Sequence, residues 1–348
     1  MLLLHKLRQI KDDGYVPKTY KVKTQDGFIL RVVRIKNRSS YYKPRGVVFL
    51  MHCLMCSCGC FIAGGNQSLA YNFVNAGYDV WMGNARGTRF SQQHLKYTTD
   101  DPEYWNYSLH ELGTIDVPTM MEFVLKRTGV AKLQYVGHSQ GGALFLIMAA
   151  THPKLISRVK AVFLMAPAMV IGNSFSHLIK LGYAFAPVIQ ETFTIVHFNG
   201  ILLDRQILNT AEQNIISNPS VEFYSRWMYF AIMGPNSGQT DLDKLLNMTG
   251  LSFDSMSIKQ IFHFYQFYKT GKFQMYDYGN IFKNFQEYGK IFPPKYIIKK
   301  MPKTVVTFFG TGDALVTYEN SKKFLNRVKK NHLKRFNQRN KKSLVRKI

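Results

Sequence analysis

Apolar and polar positions along this chain follow two regimes. Up to about residue 169, short apolar runs alternate with longer stretches in which apolar residues recur every three or four positions. Residues 18–35 predict a hairpin, with strands over 19–23 and 28–35 joined at Asp26-Gly27, a dipeptide able to supply the positive φ of a tight turn. Residues 46–51 (GVVFLM) are continuously apolar, as expected for a strand covered on both faces. Residues 78–82, 133–136 and 159–165 share that character, and helical patterns over 69–75, 117–126 and 142–150 lie between the strands. Strands alternating with helices predict the α/β class, with a mostly parallel sheet and helices on both faces.

Beyond Ala168 the alternation stops. Residues 170–295 are aromatic-rich and helical in pattern; the strand-helix regime returns with a strand over 304–309 and a helix over 318–330. Residues 333–336 resemble one more strand. A long insertion between two strands of one sheet is how a cap is built over a site. The predicted division is therefore a core of residues 1–169 and 296–348, with 170–295 as a helical cap.

Composition narrows the picture. With 46% hydrophobic residues in 348, a sizeable core is expected. No stretch approaches 18 consecutive apolar residues, so no transmembrane helix is predicted. Met1 to Leu4 is apolar, but His5, Lys6 and Arg8 end that run, and no signal peptide is expected within the sequence. The formal net charge is +25, and from Ser321 to Ile348 there are twelve Lys or Arg and no Asp or Glu. A solvated, Lys-rich surface is the first reading of this excess; attraction of the basic tail to an anionic membrane is the second. No nucleic-acid recognition module is present, so no nucleic-acid partner is expected. All four cysteines lie at positions 53, 56, 58 and 60. Small packed side chains, a disulfide, or a metal site are the three readings, in that order, because the cluster directly follows a buried strand and no second cluster completes a metal-binding module.

Chemistry enters at Gly137-His138-Ser139-Gln140-Gly141, a G-x-S-x-G sequence with a β-rich run before it and an apolar helix pattern after it. A sharp strand-to-helix turn raises the serine hydroxyl above the sheet, and only small neighbours fit where the elements crowd. Ser139 is thus the candidate nucleophile, and the Gln140 N–H a candidate oxyanion donor. The second donor belongs to the turn after an earlier strand. Here His52-Cys53-Leu54 follows residues 46–51 and makes the Leu54 N–H the candidate, with Cys53 strained if its backbone requires φ > 0. Asp313, in Gly310-Thr311-Gly312-Asp313 after the late strand, is the candidate acid, in the chain order Ser…Asp…His. Of ten histidines only His332 follows Asp313, which makes it the candidate base; a base lost from an altered tail is the competing reading. Acyl transfer of this kind needs no metal or organic cofactor.

Many spaced residues then resemble one family, the acid lipases. Gly14-Tyr15 and Val22-Lys23-Thr24-Gln25-Asp26-Gly27-Phe28-Ile29-Leu30 are similar to its N-terminal signature. Further matches are Asn66 to Ala70, Gly77 to Gly87 (GYDVWMGNARG), Tyr104 to Ser108 and Asp116-Val117-Pro118. In the cap they are His263, Gln266, Gly271, Tyr276 to Gly279, Asn284, Tyr288-Gly289 and Pro293 to Tyr296. The resemblance covers roughly residues 8–325 and implies an α/β-hydrolase core with a helical cap, hydrolysing triacylglycerols, sterol esters or related lipid esters. It implies Ser139 as nucleophile, Asp313 as acid, and Leu54 and Gln140 as oxyanion donors. Two positions depart from the pattern: the family's His-Gly-Leu turn reads His52-Cys53-Leu54, and its histidine, nearly thirty residues past the acid, has no counterpart in the tail. A lipid-binding homologue without catalysis and an acyltransferase on the same scaffold are the rival functions. Relatives are commonly secreted or lysosomal, while the chain itself leaves localisation open. Sequons at Asn37, Asn66, Asn106 and Asn247 would suit glycosylation.

Overall fold

A computed structural model describes residues 2–37, 43–169, 176–203, 206, 210, 213–214, 217–234, 253–319 and 321–322. After a leading helix α1 (Leu2–Asp12), β1 (Tyr15–Lys23) and β2 (Phe28–Asn37) form the expected hairpin, with Val22 opposite Leu30. Then follow β3 (Val47–Met51), α2 (Leu69–Asn75), β4 (Asp79–Asn84), the short β5 (Gln93–His94), α3 (Leu109–Glu111), α4 (Val117–Thr128), β6 (Leu133–His138), α5 (Gln140–Thr151), α6 (Pro153–Ile156) and β7 (Val159–Met165). The helix α1 and the π-helical turn Leu112–Asp116 between α3 and α4 are not legible in the apolar spacing.

The main sheet runs β1-β2-β4-β3-β6-β7-β10, where β10 is Thr304–Phe308. From β4 onward every pairing on this path is parallel, and the β1–β2–β4 side is antiparallel. This is the mostly parallel α/β sheet predicted. All five residues of β3 are buried, and ten of the twelve residues of α5 are buried, which is why these segments read as unbroken apolar runs.

Between β7 and β10 lie α7 (His177–Ala184), α8 (Ala186–Ile195), β8 (Gly200–Ile201), α9 (Pro219–Met233), β9 (Met256–Ser257), α10 (Ile258–Thr270) and α11 (Ile281–Tyr288). Among its described residues this stretch is mainly helical, and β8 and β9 add a small antiparallel pair invisible to periodicity. Its end is fixed by side-chain amides: Gln266 exchanges hydrogen bonds with the Asp277 backbone at 2.7 and 2.8 Å, and Asn284 donates to Asp277 and to the Ile291 carbonyl. The helix expected over 318–330 begins at Tyr318; residues past 322, including the strand expected over 333–336, lie outside the described residues.

Three distant sequence motifs meet in one buried ion cluster. Arg86 donates from Nε and Nη2 to Asp116 Oδ1 at 2.8 and 2.6 Å, and from Nη1 to Asp26 Oδ2 at 2.5 Å. Asp116 and Arg86 are both buried, so each charge depends on its partners for the solvation it has lost. This cluster ties the hairpin turn and the start of α4 to the end of β4.

Candidate active site

Parallel strands place their C-terminal ends along one edge, and three of the predicted site segments leave the sheet there. Met51, the last residue of β3, pairs with Gly137; Met165 of β7 pairs with His138 on one side and Phe308 on the other. The turn after β3, the serine after β6 and the acid loop after β10 therefore emerge at one level. The serine and acid strands are two spacings apart, about 10 Å.

Ser139 occupies the connection between β6 and α5 at φ 50° and ψ −110°. A non-glycine residue there costs about 1–3 kcal/mol, and it persists only because its surroundings enforce it. They do so through the backbone: Ser139 N–H donates to the Met165 carbonyl at 2.8 Å, and the Ser139 carbonyl accepts from Gly142 and Ala168 at 3.0 and 3.2 Å. The flanking glycines mark the tightest approaches. A Cβ on Gly137 would lie 2.6 Å from the Gly141 carbonyl carbon, and one on Gly141 would overlap the Met51 carbonyl, 2.8 Å from its carbon. The serine itself is partly exposed, and its hydroxyl makes no hydrogen bond to a described residue. Helix α5 begins at Gln140, so the Gln140 N–H has no intrahelical acceptor and lies at the positive end of twelve aligned peptides.

His52 organises the turn after β3. Its Nε2 accepts from the Ala85 N–H at 3.1 Å, which leaves the proton on Nδ1 to donate to the Cys53 carbonyl at 2.8 Å. In a trans peptide the N–H points opposite to the carbonyl, so anchoring the Cys53 oxygen also sets the direction of the Leu54 N–H. No acceptor for that N–H is found among the described residues. The concern over Cys53 is removed: among the described residues the non-glycine positions with positive φ are Met55, Ser139, Ala166 and His197, and Cys53 is not one of them. The preferred reading of the cysteines is corrected as well. Cys53 and Cys56 form a disulfide, because the turn brings their Cα atoms to 5.4 Å, while Cys58 is buried and Cys60 partly so. No metal-binding cluster of His, Cys, Asp or Glu occurs among the described residues.

Asp313 follows β10, with Oδ1 accepting from the Leu315 and Val316 N–H groups at 2.9 and 2.8 Å. Burial raises its pKa, and those two N–H groups offset part of the rise. The loop is held from the cap side: Ala314 N–H donates to the Met233 carbonyl at 2.9 Å, and the Asp313 charge raises the pKa of Tyr229 on α9, after burial, the larger cause. His332 lies outside the described residues, and no described histidine hydrogen-bonds to Ser139 or Asp313. His138 is kept neutral by burial. Sequence reasoning missed the anchoring role of His52, although a histidine directly after a buried strand was visible, and it missed the cap residues that hold the acid loop.

Comparison with known proteins identifies the family. Residues 46–194 match a family described as alpha/beta hydrolase fold, and residues 8–65 one described as partial alpha/beta-hydrolase lipase region. Lipase 3 of Drosophila melanogaster is 35% identical over 88% of this chain and 78% of its own length. The chain belongs to the acid lipase family of α/β-hydrolases. Gastric triacylglycerol lipase of Homo sapiens is 33% identical (87% of this chain, 76% of the relative), and lysosomal acid lipase/cholesteryl ester hydrolase of Macaca fascicularis is 31% identical over the same shares. Asp26, Arg86 and Asp116, which lie in three of the segments that resemble the family, meet in one ion cluster.

Proposed function

We propose that this acid-lipase family member hydrolyses lipid esters through Ser139. The observation carrying this reading is the enforced φ 50° conformation of Ser139, which leaves a partly exposed hydroxyl beside the unpaired N–H of Gln140. Ser139 Oγ attacks the ester carbonyl while a histidine takes its proton. The Leu54 and Gln140 N–H groups receive the oxyanion, the alcohol leaves with that proton, and water then releases the fatty acid from the acyl-enzyme. Asp313 holds the imidazole in the required tautomer. His332, the histidine that follows Asp313 in the chain, is the base proposed. Residues 170–295 act as the cap, their aromatic helices supplying the acyl pocket. The tail from Ser321 to Ile348, with twelve cationic residues, adds attraction to anionic lipid surfaces.

The test uses a fluorophosphonate probe together with a p-nitrophenyl ester and an emulsified triacylglycerol. Labelling and turnover that disappear in Ser139→Ala are expected. Absence of both from the unaltered protein overturns the assignment in favour of a lipid-binding homologue, and transfer to an added alcohol exceeding hydrolysis makes it an acyltransferase. Vesicle co-sedimentation with and without anionic lipid, loosened by salt, tests the tail.

A further inference from the structure

We propose that the Cys53–Cys56 disulfide positions the Leu54 amide, making catalysis dependent on the oxidation state of this cysteine pair. The inference rests on the oxyanion role assigned to Leu54 above. It starts from a C-x-x-C spacing in the turn that follows β3, with Cys53 at the middle position of the turn that resembles the family's His-Gly-Leu pattern.

The four residues 53–56 form a turn whose Cα ends are 5.4 Å apart, with Leu54 and Met55 at its centre. Met55 sits at φ 53°, a left-handed value that glycine usually supplies at the third position of such a turn. Both ends of the turn are also held by contacts other than the disulfide. On the Cys53 side, His52 Nδ1–H holds the carbonyl oxygen at 2.8 Å. On the other side Cys56 pairs with Phe253 of the cap, and the Met55 carbonyl accepts from Asp254 N–H at 2.7 Å. Asp254 is itself buried and paired with Arg89 at 3.2 Å. The sulfur–sulfur bond is the one covalent link that closes the turn between these anchors. With it in place, Cys53 and Cys56 cannot part, so the Cys53–Leu54 peptide that carries the Leu54 N–H keeps its place in the turn. When it is broken, that peptide keeps only the His52 contact to its carbonyl oxygen.

Reduction by a small dithiol is balanced within the pair. A thiolate attacks one sulfur and forms a mixed disulfide, and the second thiol of the reductant displaces it. Cys53 and Cys56 gain two electrons and two protons as thiols, and the reductant closes its own disulfide.

The experiment compares four preparations of the full chain: untreated, reduced with a dithiol, reduced then re-oxidised, and Cys53→Ser/Cys56→Ser. Each is assayed for kcat and KM on a p-nitrophenyl ester, for affinity towards a trifluoromethyl ketone that forms an oxyanion adduct, for affinity towards a fatty acid, and for its melting temperature. Expected is a fall in kcat of about tenfold to a hundredfold, approaching loss of one oxyanion donor. Affinity for the trifluoromethyl ketone falls in parallel, KM and fatty-acid binding stay unchanged, and re-oxidation restores activity. Equal kcat and equal ketone affinity in all four preparations overturn the proposal. So does a loss that carries fatty-acid binding and melting temperature down with it, because that is a merely structural role. If the untreated chain lacks turnover sensitive to Ser139→Ala, the failure belongs to the functional assignment and not to the disulfide.

Discussion

Replacing Gly141 with alanine tests the site geometry most directly. The added methyl would lie 2.8 Å from the Met51 carbonyl carbon and 2.9 Å from the His52 carbonyl oxygen, and closer still to the Met51 oxygen. Comfortable separation is about 3.5 Å, so the shortfall is roughly 0.6–0.7 Å at those two atoms and larger at the Met51 oxygen, all of it against backbone, which has no rotamer to escape into. Something must move. Helix α5 is buried on nearly all sides and is anchored by Tyr135, whose hydroxyl donates to the Gly141 carbonyl at 2.8 Å. The half-buried turn after β3 lies outside regular structure and is the element that yields, and pushing it moves Leu54 away from Gln140. Overpacking of this kind costs about 1–3 kcal/mol of stability. For a chain of this length that is a drop of about 1–4 °C in melting temperature. The catalytic loss is larger, because misplacing one oxyanion donor costs about 2.7–4 kcal/mol, or roughly a hundredfold to a thousandfold in kcat. Steady-state kinetics on a p-nitrophenyl ester, paired with thermal unfolding, separates the two. Gly182→Ala on α7 serves as the control: its methyl meets nothing within 4 Å, and a gain of about 0.4–1 kcal/mol is expected there. A Gly141→Ala protein with unaltered kcat would refute the placement of the oxyanion donors across this contact.

Other substitutions probe other links. Ser139→Gly, which tolerates φ 50° freely, is expected to unfold about 1 kcal/mol later than Ser139→Ala in a denaturant titration, with both inactive; equal stability would mean the serine backbone is not strained. Asp313→Asn should lower kcat by about four orders of magnitude by releasing the histidine tautomer. Its stability effect has a defined sign. Burial raises the folded pKa of Asp313 above the unfolded value, so the folded state holds the proton longer and the wild type loses stability as pH rises through that window. Asp313→Asn removes this loss, so its advantage grows as pH rises from about 4 and is absent below; the opposite trend in urea unfolding would contradict the shift. Asp116→Ala strands the buried Arg86 with Asp26 alone, at a cost of about 3 kcal/mol, measurable as about 4 °C in melting temperature, and a change under 1 °C would argue against the buried cluster.

Surface modification sites are consistent with exposure where they can be placed. Asn37, Asn66 and Asn106 are exposed, and Asn247 lies outside the described residues. Among the described residues no helix is long and apolar enough to cross a membrane.

Periodicity alone delivered the hairpin, the buried strands, their helices and the order in which they occur. These depend on which face of each segment must leave water, and side-chain spacing records that directly. The G-x-S-x-G sequence pointed to Ser139, the nucleophile proposed, because a Cβ on either flanking glycine would come within 2.8 Å of backbone atoms. Tertiary structure decided the rest. The pairing of Met165 with both His138 and Phe308 puts serine and acid at one level, and nothing local to either segment encodes it. Four cysteines left three chemistries open until the turn brought two Cα atoms within bonding range. Arg86 found Asp26 and Asp116 across sixty and thirty residues of sequence, since long-range ion pairs follow from how elements pack rather than from what stands beside each residue in the chain.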